Sequence, residues 1–223
     1  MMPSATPPVV GTGPGGGPFV AAVAQCAARR RCRLPRAFMA LKSTIYKAAV
    51  AVADMDRPLY ADHSLTLALH PSETEERLMV RVLAFALQAD TGDAADNLQF
   101  TRGLSDADEP ALWQRDLDGR LRHWIEIGQT DERRLTKACG RADLVTLYAY
   151  GQSVPVWWSG LQGKITRLRN LRVWQLPAPQ TQELARLAQR SMQLQVTVQD
   201  GHVWVGNAES SVEIAPVRLW PAD

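Results

Sequence analysis

The sequence predicts a mixed α/β domain, a mixed sheet flanked by helices, and three observations predict it. Leu65, Leu67 and Leu69 alternate with Thr66 and Ala68 next to a second β-prone run, the pattern of a half-buried hairpin. The string MQLQVTVQ-DG-HVWVG alternates without a break around Asp200-Gly201, a two-residue hairpin turn signal. Between these two ends, apolar runs of strand length alternate with segments of helical periodicity, which places helices against a sheet.

In chain order, STIYKAAVAVAD (43–54) and LYADHSLTLALH (59–70) form the first hairpin around Asp56-Arg57-Pro58. Ser72 and Glu75 have capping-box spacing, so a helix is expected from about 73 to 89. TGDAADN (91–97) reads as a loop, Gln99–Arg102 as a short strand and 109–115 as a short helix. Leu121–Ile127 reads as a central strand, 131–142 as a helix and VTLYAY (145–150) as a buried strand. Pro155–Leu161 is expected to be helical, LRVWQL (171–176) extended and Gln180–Gln189 helical. After the Asp200-Gly201 hairpin, VEIAPVRL (212–219) is expected as one last strand.

The chain of 223 residues has a formal charge of +2, but the excess is local. Residues 1–38 carry Arg29, Arg30, Arg31, Arg33 and Arg36 with no acid. Removing these five from 25 basic residues leaves 20 against 23 acidic, a net of −3. Strong sequence-independent nucleic-acid binding by the body as a whole is therefore not indicated, although a local patch is compatible with these counts. The GTGPGGGP run at 11–18 has no strand before it or helix after it, so it is not a dinucleotide loop. The apolar piece FVAAVAQCAA precedes the arginines, the reverse of a secretory signal. No run approaches the ~20 apolar residues of a membrane span. With Cys139 alone in the body, no disulfide staples the domain, and a cytoplasmic setting without membrane attachment is expected. Cys139 shares a helix face with Leu135 and Ala142, the position of a core filler. Zinc spacing, a GxxxxGK[ST] loop and a GxSxG elbow are all missing.

The segment from Asp108 to Lys137 carries the chemistry. Glu126 stands between Ile125 and Ile127, and a carboxylate among apolar neighbours is costly unless paired, protonated or bound to a cation. Arg122, Trp124 and Glu126 share one strand face; Leu121, His123, Ile125 and Ile127 share the other. Glu126 is thus either a metal ligand or the acid of a buried salt bridge to Arg122 or Arg134. Asp108 and Glu109, ahead of Pro110, either join that metal site or open a helix with Asp108 as N-cap. On the first helix Glu76 faces inward with Met79, Val80 and Leu83 and Glu73 lies at the border, while acids there also suit the helix dipole. His70 and Ser72 are placed to order such a site or merely to end a strand and cap a helix. Lys164, Arg167, Arg169 and Arg172 gather near Trp157 and Trp158, either to meet a phosphate backbone or as a solvated helix end.

MALKSTIYK at Met39–Lys47, HPSETEER at His70–Arg77, QFTRGL at Gln99–Leu104, DEPALW at Asp108–Trp113, WIEIGQTDERR at Trp124–Arg134 and QDGHVW at Gln199–Trp204 together resemble the bacterial YaeQ family. The resemblance runs from Met39 to the C-terminus, so 39–223 is expected as one domain. Residues 1–38 are then a misassigned upstream start or a disordered tail. The resemblance implies a fold related to the PD-(D/E)XK nucleases with an altered motif. It assigns Glu126 to the second acid, Asp108 or Glu109 to the first, and Glu73 or Glu76 to the helix acid, all around Mg²⁺ or Mn²⁺. Two positions past Glu126 the motif lysine is replaced by Gly128, leaving Lys137, Arg133, Arg134 or Gln129 as the substitute. The implied activity is Mg²⁺-dependent cleavage of DNA or RNA. The alternative is a catalytically inactive module that binds a protein or nucleic-acid partner.

Overall fold

The first hairpin forms as the alternation predicts. Thr44–Asp54 (β1) and Leu59–Leu69 (β2) pair antiparallel from Thr44 opposite Leu69 to Asp54 opposite Leu59. Tyr46, Ala48, Val50 and Val52 point inward, while Lys47, Ala49 and Ala51 stay exposed. Asp54 closes the turn by accepting from the backbone N–H of Arg57 at 2.9 Å and from its Nε at 2.6 Å. This computed structural model describes residues 43–89, 97–102, 106 and 108–221. The expected tail at 1–38 and nearly all of the expected loop at 91–97 lie outside the described residues.

The first helix starts later than the capping box suggests. It spans Glu75–Gln88 (α1), and its cap is Thr74, whose hydroxyl accepts from the Arg77 N–H at 3.2 Å. Ser72 instead pairs with His70 Nδ1 at 2.6 Å. The cause is Glu73, which is needed off the helix: its carboxylate meets Arg81 at 3.2 Å and Arg77 at 3.5 Å and accepts from the His70 N–H. Leu78 through Ala86 are buried without interruption, so α1 is a core helix rather than a surface one.

Leu98–Phe100 (β3) is the short strand expected near 99. The short helix expected over 109–115 is instead a strand, Leu112–Arg115 (β4). Tertiary pairing overrides the local helical tendency: the Ala111 N–H donates to the Ile125 carbonyl, and Leu112 and Trp113 stand opposite Ile125 and Trp124. Leu121–Ile127 (β5), Glu132–Cys139 (α2), Leu144–Tyr150 (β6), Val154–Leu161 (α3), Leu171–Leu176 (β7) and Ala178–Ala185 (α4) follow. Ser191–Gln199 (β8) and His202–Gly206 (β9) form the hairpin at Asp200-Gly201. The expected last strand is two, Ser211–Ile214 (β10) and Val217–Trp220 (β11). Pro216 has no N–H to continue a ladder, and the chain changes sheet there.

The strands therefore divide into two mixed sheets rather than one. The five-stranded sheet runs β10-β9-β8-β1-β2, with β8 parallel to β1. The six-stranded sheet runs β11-β7-β6-β5-β4-β3, with β5, β6 and β7 parallel. The β5 strand is buried on both faces. Ile125 and Ile127 join the core shared with α1 and the five-stranded sheet, and Trp124 packs with Leu135 and Ala138 of α2. No helix among the described residues is long and apolar enough to cross a membrane.

Two buried polar groups set measurable limits on this core. Arg81 is 2% exposed, and the Glu73 carboxylate is its counter-charge. Glu73→Ala strands that guanidinium, so urea denaturation should show a loss of about 3–5 kcal/mol; under ~1 kcal/mol would contradict the pairing. His123 is buried with its Nε2 at 2.8 Å from the Thr146 hydroxyl, and burial, aided by the Arg172 charge, pushes its pKa down to about 4. Above the ordinary pKa near 6.5 both folded and unfolded imidazoles are neutral; between that and 4 only the unfolded one takes a proton. Stability should thus fall by up to ~3 kcal/mol as pH drops through this window, and His123→Gln should flatten the decline in urea titrations at about pH 7 and about pH 4.5.

Candidate functional site

A cleft of about 620 Å³ opens at the carboxyl ends of β5 and β6, where α/β sheets commonly present ligand sites. Glu126, Gln129, Asp131, Arg134 and Tyr150 line it from these strands and from the start of α2; Asp106 and Glu109 line it from the segment before β4, and Arg77 from α1. The chain turns out of β5 at Gly128 with φ +104°, a backbone conformation that L side chains rarely adopt. A Cβ there would stand 3.3 Å from Arg77 Nη1. The position two past Glu126 is therefore glycine for a conformational reason, and the cation beside it comes from another element. Arg77 also donates to the Ile127 carbonyl, which fixes the guanidinium at the end of β5.

Glu126 is 5% exposed and both of its oxygens are engaged. Its Oε2 accepts from Trp124 Nε1 at 3.0 Å and from Arg134 Nε at 3.1 Å, and its Oε1 accepts from Arg134 Nη2 at 3.2 Å. Arg134 Nη2 donates as well to the Glu109 carbonyl at 2.7 Å. Of the two arginines considered for a buried salt bridge, Arg134 makes it, because Asp131 caps α2 through the Arg134 N–H and sets the helix against β5. Arg122 faces solvent near Asp116 and Asp143, at 3.3 and 3.6 Å.

The other expected acids go elsewhere. Asp108 is exposed and pairs with Lys137, whose hydrogen bond and charge hold the Asp108 carboxyl below its ordinary range. That surface pair sits away from the cleft lining, and it begins no helix. The Glu109 carboxylate borders the cleft and accepts from the Arg102 N–H at 3.2 Å. Glu73 faces Arg81, and Glu76 accepts from the Thr181 hydroxyl of α4 at 2.6 Å; neither lines the cleft. The structure thus brings Glu109 and Glu126 together and leaves Asp108, Lys137, Glu73 and Glu76 apart. Gln129 borders the cleft too, with its amide held by Ser153 and the Tyr150 carbonyl.

A divalent ion of the Mg²⁺ or Mn²⁺ kind needs several oxygens with spare lone pairs at one point. Among the described residues no three His, Cys, Asp or Glu side chains are grouped to hold one. Three of the roughly four lone-pair sites of the Glu126 carboxylate are taken by Arg134 and Trp124, so in this arrangement the residues fit a metal poorly. Cys139 is no nucleophile candidate, since burial pushes its thiol up to about 11.

Sequence reasoning missed Arg77. The signal was available in two places: Arg77 lies four residues after Glu73, within ion-pair reach, and glycine stands two positions past Glu126 where a lysine was expected. At the opposite end of the parallel strands, ahead of β7, Lys164, Arg167 and Arg169 are exposed and make no side-chain hydrogen bond or ion pair among the described residues. Arg172, expected with them, stands on β7 opposite Thr146 and lines a different cavity.

The profile of the YaeQ protein family matches residues 39–216. The uncharacterized YaeQ protein of Salmonella typhi is 49% identical over 177 residues, covering 79% of this chain and 95% of the relative. That of Escherichia coli K12 is 46% identical over the same span and the same shares. The crystal structure of YaeQ protein from Xanthomonas axonopodis pv. citri superposes with a TM-score of 0.75 at 47% identity, covering 79% of this chain and 98% of that one. The Pseudomonas syringae YaeQ structure gives 0.75 at 38% identity, covering 81% and 97%. With the matched segment beginning at Met39 and extending through β10, this chain belongs to the YaeQ family.

Proposed function

We propose that this chain is a nucleic-acid-binding module, acting in the cytoplasm, on a framework that resembles a nuclease and does not cut. The observation that carries this reading is the capture of Glu126. An acid holding three hydrogen bonds from Arg134 and Trp124 has Oε2 filled and Oε1 half filled, which leaves little of it for an ion. The partner follows from charge. Lys164, Arg167 and Arg169 form a group without acidic partners among the described residues, and a phosphate backbone is the single-sign polyanion that such a group attracts.

One observation favours a second reading, phosphodiester hydrolysis with Mg²⁺ or Mn²⁺. Asp106, Glu109, Glu126 and Asp131 all border one cleft at the carboxyl ends of parallel strands. Under that reading Arg134 must release Glu126 before an ion enters.

The two readings separate in one set of assays. Labelled single-stranded DNA and RNA should bind saturably in EDTA, with an affinity that falls steeply with salt and drops about tenfold or more in the Arg167→Glu/Arg169→Glu double variant. Added Mg²⁺ or Mn²⁺ should leave the strands intact. Divalent-dependent cutting that Glu126→Gln abolishes would overturn the binding-only reading and establish the second. Absence of oligonucleotide binding would remove nucleic acid as the partner. Separately, Glu126→Ala should cost about 2–3 kcal/mol in urea denaturation, below the ~3–5 of a fully buried pair because the Arg134 side chain is 27% exposed.

A further inference from the structure

A second cavity, of about 220 Å³, is walled by both sheets and by the C-terminal turn of α1, and it shares no lining residue with the cleft at Glu126. Most polar groups on its wall are already committed. The Asp54 carboxylate holds Arg57, and the Asp56 carboxylate accepts from the N–H groups of Asp200 and Gly201 at 2.8 and 2.9 Å. The Thr146 hydroxyl is paired with His123.

Two groups are not. Tyr148 is 2% exposed, and its oxygen accepts from Gln88 Nε2 at 2.6 Å. The phenolic proton itself has no acceptor among the described residues, an expensive state for a buried donor. Arg172, on the next strand, has neither a hydrogen bond nor an ion pair among the described residues. Its charge is nonetheless felt inside, since it lowers the pKa of His123 and of Tyr148. Leu87, Val198, Val203 and the half-buried indole of Trp174 supply an apolar flank to the same space.

We propose that this cavity is a binding site for a small flat carboxylic acid. Its carboxylate accepts the Tyr148 proton and pairs with the Arg172 guanidinium, whose planar fork matches carboxylate geometry. The flat body of the ligand packs between Trp174 and the aliphatic side chains of Leu87 and Val198. The volume lies below the ~300–1,000 Å³ of drug-sized sites, so the ligand is small. Burial pushes the Tyr148 phenol up to about 12, which keeps it a donor throughout the neutral range. The site is independent of the nucleic-acid reading, since none of Lys164, Arg167 and Arg169 contributes to it.

Calorimetric titration of the full chain with benzoate tests the proposal. Saturable binding is expected, weakened about tenfold by Arg172→Gln and by Tyr148→Phe. Benzamide, which has the same flat body without charge, and inorganic phosphate, which has the charge without the body, should each bind at least about tenfold more weakly than benzoate. No saturable benzoate binding would overturn the proposal. So would benzoate binding that Arg172→Gln leaves intact, or equal affinity for benzamide or phosphate. Circular dichroism of both variants controls for folding. Should Tyr148→Phe fail to fold, the exposed Arg172→Gln decides the matter alone.

Discussion

Glu126 stands on an interior strand of the six-stranded sheet with 5% of its surface exposed, and an ion in that setting survives only if it is compensated. Arg134 and Trp124 provide the compensation, and much local structure follows from how they reach it. Arg134 must come from the first turn of α2, so α2 starts directly after β5 with Asp131 as its cap. Trp124 must share the strand face with Glu126, which puts the indole between β5 and α2 and fills the smaller core. The guanidinium then reaches across to the Glu109 carbonyl and ties the segment before β4 to the same point. One buried charge thus orients three pieces of chain, the segment before β4, β5 and α2.

The same logic operates a second time around Glu73. Arg81 and Arg77 converge on that carboxylate, and Arg77 continues to the end of β5, where it occupies the space beside Gly128. The cleft is therefore framed by two arginines that are each anchored by a buried acid. Guanidinium groups fixed in this way are already oriented, which lowers the entropy lost when a further acceptor arrives. A lysine two positions past Glu126 would be strained by the positive φ of that residue. The glycine at position 128 is consequently built into the backbone turn and is more than the absence of one side chain.

The parts legible in the sequence were those governed by local pattern. The alternation around Asp200-Gly201, the run Leu121–Ile127 and the run Leu171–Leu176 match β8, β9, β5 and β7 closely, because period and turn chemistry are properties of neighbouring residues. Features set by distant partners were not legible. The 109–115 segment became a strand because β5 offered it a ladder, and 212–219 broke because Pro216 delivers its two halves to different sheets. At the site, strand alternation correctly placed Trp124 and Glu126 on one face. It could not tell which of several cations would answer Glu126, nor that Asp108 would turn outward to Lys137 and Glu76 toward Thr181. Those choices depend on the docking of helices, which no local period encodes.

The account turns on whether the guanidinium of Arg134 fills the position that a doubly charged ion would need. Calorimetric titration with Mn²⁺ addresses it directly, comparing the wild-type chain with Arg134→Gln and with Arg134→Gln/Glu126→Gln. The account predicts no saturable Mn²⁺ binding by the wild type, binding gained in Arg134→Gln, and that gain lost again in the double variant. Stoichiometric Mn²⁺ binding by the wild-type chain, abolished by Glu126→Gln, would contradict it.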